Sequence, residues 1–171
     1  MKTLILYSSC DGQTKKIAEF IALHLSGEVV IEALTEKSKI DSADNVIIGA
    51  SIRYGHFNKV LNHFIKKHTA LLSQKKTAFF AVNLTARKAG KDTPETNIYV
   101  RKFFLRTDWQ PNFKVVFAGA LRYPQYRFFD RIMIKLIMSM TGGETDTTKE
   151  VEYTNWDKVK LFAIQYDQFI Q

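Results

Sequence analysis

The chain has 171 residues, 46% of them hydrophobic, with 25 Lys and Arg against 17 Asp and Glu and a formal charge of +8. That is enough apolar material for one domain, residues 1–171, with a sizeable core. Its single cysteine, Cys10, excludes an internal disulfide and fits a reducing compartment. No apolar run approaches the roughly 20 residues of a membrane span, and Lys2 precedes too short an apolar run for a signal peptide. The positive excess points to an anionic partner: nucleic acid, acidic lipid or a polycarboxylate. The basic residues are scattered and carry no reader motif, which argues against nucleic acid.

Taken in order, Thr3–Tyr7 reads as a buried strand, and the apolar positions Ile17, Phe20, Ile21 and Leu25 read as the face of a helix. Between them lies Ser9-Cys10-Asp11-Gly12-Gln13-Thr14, a strand-to-helix turn. The unpaired N–H groups and partial positive charge of a helix start make such a turn a site for a phosphate monoester. It is equally read as an ordinary turn capped by Ser9 or Asp11. It lacks both the G-x-G-x-x-G pattern and the Lys of a P-loop. A carboxylate facing a phosphate repels it, so Asp11 is expected to turn away and cap the helix. Ser9, Thr14 and backbone amides would then hold the anion. Cys10 is either a thiol activated by the helix start or a small loop spacer.

Glu28–Leu34 is a second strand, Thr35–Asp44 has no apolar periodicity, and Asn45–Ser51 is a third strand, apolar on both faces. Lys59–Leu72 has helical spacing, and Lys76–Val82 is a fourth strand. Thr93 and Pro94 suit the N-cap and first position of a helix running to Arg106. Phe113–Ala120 is a fifth strand and Trp156–Phe169 a closing helix. Strands alternating with helices predict a three-layer α/β sandwich around a five-stranded parallel sheet of order 2-1-3-4-5.

Ligands of such sheets sit beyond the carboxyl ends of the strands, where the strand order reverses. Three stretches meet there: Ser9–Thr14, Ser51-Ile52-Arg53-Tyr54-Gly55 with His56 and Phe57, and Asn83-Leu84-Thr85-Ala86-Arg87 with Lys88. A phosphate cradle beside aromatic loops suits a flat heteroaromatic mononucleotide, and FMN fits best. A receiver domain shares the topology but needs a phosphoacceptor Asp after strand three, where this chain has Gly49-Ala50-Ser51.

More than thirty residues separate strand five from the last helix, far more than an ordinary link. The core of this insertion, roughly 121–147, is a helix from Phe128 to Met140 ended by Gly142-Gly143. Arg127, Arg131 and Lys135 are four apart and form a cationic stripe. Phe129, Ile132, Met133, Leu136, Ile137 and Met140 cover the rest. The helix either meets a membrane interface or a lipid-like ligand with this apolar side, or packs it on the sheet. The four histidines form no metal pattern, and only His56 stands in a ligand loop as a candidate for proton transfer; no catalytic acid or base is assigned.

The turn Ser9–Thr14 resembles the flavodoxin phosphate loop, with Asp11 at its middle hydroxyl position. Together with Gly49–His56, Asn83–Lys88, Gly119-Ala120-Leu121-Arg122-Tyr123-Pro124, Asp130–Met138 and Gly142-Gly143-Glu144-Thr145-Asp146-Thr147, it resembles the bacterial quinone-dependent protoporphyrinogen oxidases along almost the whole chain. The resemblance implies a flavodoxin-like fold and an FMN enzyme of late haem biosynthesis. Such an enzyme removes six hydrogens from protoporphyrinogen IX and passes the electrons to menaquinone or ubiquinone. It implies a peripheral location on the cytoplasmic face of the inner membrane, with no spanning helix. It gives Ser9, Gly12, Gln13 and Thr14 to the phosphate, with Cys10 and Asp11 in the same loop, and Ser51–Gly55 and Asn83–Arg87 to the isoalloxazine. Thr145, Asp146 and Thr147 would close over the ring, and Arg122, Arg127, Arg131 and Lys135 would meet propionates or acidic headgroups. The charge of +8 sets the chain apart from electron-carrying flavodoxins, which are generally acidic. A carrier of that kind and an NAD(P)H:quinone reductase, whose flavin NADPH would bleach, stay as alternatives.

Overall fold

The computed structural model describes residues 1–171. Its centre is a parallel sheet of β1 (Lys2–Ser8), β2 (Glu28–Ala33), β3 (Asn45–Arg53), β5 (Lys76–Asn83) and β6 (Phe113–Ala118), in the spatial order β2-β1-β3-β5-β6. This is the expected 2-1-3-4-5 arrangement of parallel strands. Of three further short strands, only the first joins it. β4 (His56–Phe57) folds back antiparallel on the end of β3, pairing Ile52 with Phe57. Expected strand five stops at Ala118, and β7 (Ala120–Arg122) leaves the sheet to pair antiparallel with β8 (Glu150–Glu152).

Alternation along the strands sends side chains to both faces. Leu4, Leu6, Val46, Ile48, Phe79 and Ala81 face α2 (Lys59–Leu72) and α3 (Ile98–Phe104), which add Leu61, Phe64, Ile65, Val100 and Phe103. Ile5, Ile47, Ala78, Phe80 and Phe117 face α1 (Gln13–Ala22) and α5 (Trp156–Ile170). The segment 35–44 contains no helix and covers its side with Ile40 and Ala43. α3 starts four residues later than Pro94. Thr93 and Thr96 exchange side-chain and backbone hydrogen bonds in a turn of their own, and Asn97 caps the helix by accepting from Val100 N–H.

α4 (Phe128–Met140) runs as its apolar spacing predicts. It ends in a Schellman motif: Gly142 is left-handed, with φ 69°, and Gly143 N–H donates to Met138 O at 2.8 Å. α4 rests on a small core of its own, Leu121, Tyr123, Tyr126, Ile134 and Met138.

Candidate functional site

β1 delivers the chain at the carboxyl edge of the sheet, beside β3, where strand order reverses. Gly12 precedes α1 with φ 85°, a left-handed backbone that glycine takes without strain. Its N–H donates to Ser9 Oγ at 2.9 Å, which closes the turn. No side chain caps α1 and no acid sits in its first turn, so its leading N–H groups stay open to an anion. Thr14 is 1% exposed, and its hydroxyl has no partner within the protein. A buried polar group left so costs about 1–3 kcal/mol, which a ligand bond would recover.

Asp11 does not cap the helix, and it borders the cavity rather than turning from it. It accepts from Arg53 Nη2 with both oxygens, at 2.6 and 2.5 Å. Burial disfavours the Arg53 charge, yet Asp11 beside it holds the guanidinium above its ordinary value. The one carboxylate within the phosphate loop is thereby neutralised. Gln13 is buried and its side chain is used up: Nε2 donates to Thr154 Oγ1 at 2.9 Å and Glu152 Oε2 at 3.1 Å, and Oε1 accepts from Arg122 Nη2 at 2.8 Å. Only its backbone N–H can serve a ligand. Arg122 is therefore tied to the phosphate loop through Gln13.

The three predicted loops enclose a cavity of about 510 Å³. Ser9, Cys10, Asp11, Gln13 and Thr14 line one end, and Ser51, Ile52, Arg53, Tyr54 and Gly55 one wall. Asn83, Leu84, Thr85 and Arg87 line another wall. Gly12 and Ala86 belong to the same turns without facing the space; Ala86 is buried, its N–H donating to Asn83 Oδ1 at 2.8 Å. Asn83 Nδ2 is buried and unpartnered, a second donor awaiting a ligand. Cys10 is an exposed free thiol 3.6 Å from the Ser51 hydroxyl, which donates to it. His56 lies on β4 outside this cavity.

Thr145, Asp146 and Thr147 do not border the cavity. Their segment folds on itself: Glu144 Oε1 accepts from Thr145 N–H at 3.0 Å and Asp146 N–H at 2.9 Å, Asp146 holds Thr148, and Lys149 pairs with Glu144 and Asp146. The cover comes from Met133 and Ile137, on the apolar side that spacing gave to the insertion helix, and from Tyr99, Tyr126 and Thr141 just past α4, which spacing did not reveal. Arg53 stacks 5.3 Å over the Tyr126 ring. No local pattern marks these last three: Tyr99 reaches the cavity from α3, and only the return of the insertion brings Tyr126 and Thr141 to the loops.

α4 is tied to both walls. At its start, the Tyr54 hydroxyl donates to Asp130 in a short hydrogen bond, and Arg53 Nη1 stands 4.0 Å from the same carboxylate. Tyr54 is the only non-glycine residue with positive φ, at 50°. At its end, Arg87 donates to Thr141 Oγ1 at 2.8 Å and to Leu84 O at 2.7 Å. The face of α4 that carries Ile134 and Met138 is buried. Phe128, Phe129, Ile132, Met133, Leu136, Ile137 and Met140 are between 40% and 80% exposed. The packing alternative for this helix is thus excluded: its broad apolar side points outward. Arg127 and Lys135 flank that side, while Arg131 is half-buried, with Nη2 donating to Tyr126 O at 3.4 Å.

The FMN expected from the sequence fits this site on its chemistry. Open helix N–H groups and an unpaired Thr14 hydroxyl suit a phosphate, and an unpaired Asn83 amide suits a ring edge. Tyr54 and Tyr99 border a cavity otherwise largely apolar.

A doubly wound sheet with such a loop cluster at its switch point defines the flavodoxin class, and the model of the Flavodoxin domain family matches residues 4–148. The chain is 51% identical to protoporphyrinogen IX dehydrogenase (quinone) of Escherichia coli K12, over 95% of this chain and 93% of that protein. It is 47% identical to the protein of the same name in Leishmania major, over 96% and 74% of the two chains. Among solved structures, oxidised Flavodoxin 2 from Bacillus cereus superposes with a TM-score of 0.57 at 21% identity, over 99% of both chains. The chain therefore belongs to the flavodoxin-domain family and, within it, to the family of the quinone-dependent protoporphyrinogen IX dehydrogenases.

Proposed function

We propose that this protein oxidises protoporphyrinogen IX to protoporphyrin IX through FMN and delivers the electrons to a respiratory quinone, menaquinone or ubiquinone. The observation that carries the reading beyond family membership is the outward apolar side of α4, continuous through Met133 and Ile137 with the lining of the cavity. Both the porphyrinogen and the quinone are large and apolar. An apolar helix leading into the cofactor cavity gives each a way in from a lipid surface.

In this reading the N–H groups of α1, Ser9 and the Thr14 hydroxyl hold the phosphate of FMN, while Asn83, Tyr54 and Tyr99 flank its ring. When bound, FMN supplies the two-electron chemistry. The Asp11–Arg53 pair keeps negative charge away from the phosphate, and Asp130 and Arg87 fix α4 as the outer wall. Residues 1–171 work as one domain, docked peripherally on the cytoplasmic face of the inner membrane through the exposed side of α4. Arg127 and Lys135 meet anionic headgroups there. No helix is long and apolar enough to cross a membrane.

The deciding experiment follows porphyrin fluorescence from anaerobic protoporphyrinogen IX with FMN-loaded protein, with and without a menaquinone analogue. Fluorescence growth that requires both FMN and quinone is expected. Absence of growth while the flavin stays bound and reducible would overturn the reading in favour of an electron carrier.

A further inference from the structure

Behind the wall formed by Tyr54 and Gly55 lies a second concavity of about 770 Å³, between α2, α3 and the β3–β4 hairpin. Tyr54, Gly55 and Tyr99 line both it and the cofactor cavity, so the two spaces meet along one edge. Its apolar part is formed by Phe57, Ile65 and Phe103, with the Phe57 and Phe103 rings 4.9 Å apart. Its polar part is cationic. Lys66 projects from the middle of α2, and Lys102 and Arg106 follow one turn apart along and just beyond α3. Asp108 is the only carboxylate lining it.

None of the three cations has a carboxylate within 4.0 Å, so all three are free to meet an anionic ligand. The negative end of the α3 dipole accounts for a cation at Lys102, but not for Lys66, which sits away from either end of α2. Unpaired cations around an apolar floor suit an amphiphile whose carboxylates project from one edge of a flat or bowl-shaped hydrocarbon body. Charge-assisted bonds of this kind fix orientation as well as adding affinity.

We propose that this groove binds the propionate carboxylates of the porphyrinogen, with Lys66, Lys102 and Arg106 as the recognising cations. The macrocycle then passes over the Tyr54–Gly55 edge toward the cofactor cavity. This rests on the function proposed above and deepens it by separating two roles. The groove cations read the substrate, whereas Arg127 and Lys135 beside the exposed face of α4 meet the lipid surface.

The test compares FMN-loaded wild type with the triple variant K66Q/K102Q/R106Q, using protoporphyrinogen IX, its propionate dimethyl ester and a short-chain soluble quinone. Binding of protoporphyrin IX is measured separately by fluorescence at two salt concentrations. The expected result is a KM for the free acid raised about tenfold, as the loss of three exposed charge contacts allows. The kcat and the KM for quinone should stay unchanged, the salt dependence of porphyrin binding should vanish, and the ester should be handled alike by both proteins. A triple variant indistinguishable from wild type on the free acid would overturn the assignment. So would an equal loss on the diester, since the carboxylates would then not be what the groove reads. Wild type that does not oxidise the porphyrinogen would instead bring down the proposed function. In that event the groove stands or falls on whether the triple variant loses salt-dependent binding of protoporphyrin IX.

Discussion

Two amphipathic helices follow β6, and they spend their apolar faces in opposite ways. α5 lays Val159, Phe162, Ala163, Tyr166 and Ile170 on the sheet, each 5% exposed or less. α4 buries only Ile134 and Met138 and turns seven large apolar side chains to the outside. Sequence periodicity alone does not separate the two, because it reports that a face is apolar and not what covers it. The difference lies in what each helix can reach. α5 ends the chain on the sheet face beside α1, where apolar strand residues would otherwise stand uncovered. α4 enters a fold whose two faces are already covered, so it can only stand at the edge, held by its ends. Charged and polar ties do there what buried area does under α5.

The sharpest way to expose this contrast is to remove one side chain from beneath each helix. Phe162 stacks on Tyr166 at 6.3 Å and meets Phe117 edge-on at 5.8 Å. Phe162→Ala should cost about 3–5 kcal/mol, seen as a lower denaturant midpoint at unchanged slope. Ile134→Ala removes the foot of α4 from its own small core and should act locally. Hydrogen exchange of amides 128–140 should quicken, while the global midpoint moves by less than half the shift of Phe162→Ala. Equal global shifts would mean that α4 is part of the main cooperative unit and would erase the distinction.

The outward face should be almost silent in stability. Leu136→Ser, Phe129→Ser and Met140→Ser together are expected to change unfolding free energy by no more than about 1 kcal/mol, since each side chain is already mostly in water. Their effect belongs on a bilayer. Burying one such side chain is worth about 1.5–3 kcal/mol, so binding to anionic vesicles should fall at least tenfold. A triple variant that binds vesicles as well as wild type would leave the exposed face of α4 without the membrane role proposed for it.

These contrasts also mark how far sequence reading reaches. Strand order, the extents of α2 and α4 and the three loops around the cavity are carried by local signals: apolar period, a turn glycine, a Gly-Gly stop. The loops converge because topology brings parallel strand ends together, so Ser9–Thr14, Ser51–Gly55 and Asn83–Arg87 were all legible. Contacts made by the insertion on its return were not. Tyr126 under Arg53, Asp130 against Tyr54 and Met133 in the cavity wall depend on a fold-back of more than seventy residues. The pairing of Asp11 with Arg53, 42 residues apart, is also set by the topology and carries no local signal. Strands of two or three residues, such as β4 and β7, have too few positions to display a period. At α3, three candidate caps stand close together, and the reciprocal bonds of Thr93 with Thr96 leave Asn97 to start the helix.

The smallest effect expected is also the most specific to the ties that hold α4. The Tyr54 phenol is pushed up to about 12, by burial first and then by its hydrogen bond to Asp130 and that residue's charge. Its folded value lies above the unfolded one, so the contribution is complete below about pH 10. It is lost as pH rises through about 12, because the unfolded chain gives up the proton first. Tyr54 is 45% exposed, so solvent screens the bond and the effect on global unfolding should be slight. Its mark should be local. In wild type, α4 amides at matched intrinsic exchange rate should lose protection as alkali titrates Tyr54, and Tyr54→Phe should have lost that protection already at neutral pH. Tyrosinate absorbance should lose one of its late-titrating groups in Tyr54→Phe and keep the others, since burial also raises Tyr123, Tyr126 and Tyr166. If that variant keeps full protection of α4 at every pH, then Arg87 at the far end and the small core beneath Ile134 hold the helix by themselves. The tie at Asp130 would then orient Tyr54 rather than anchor α4.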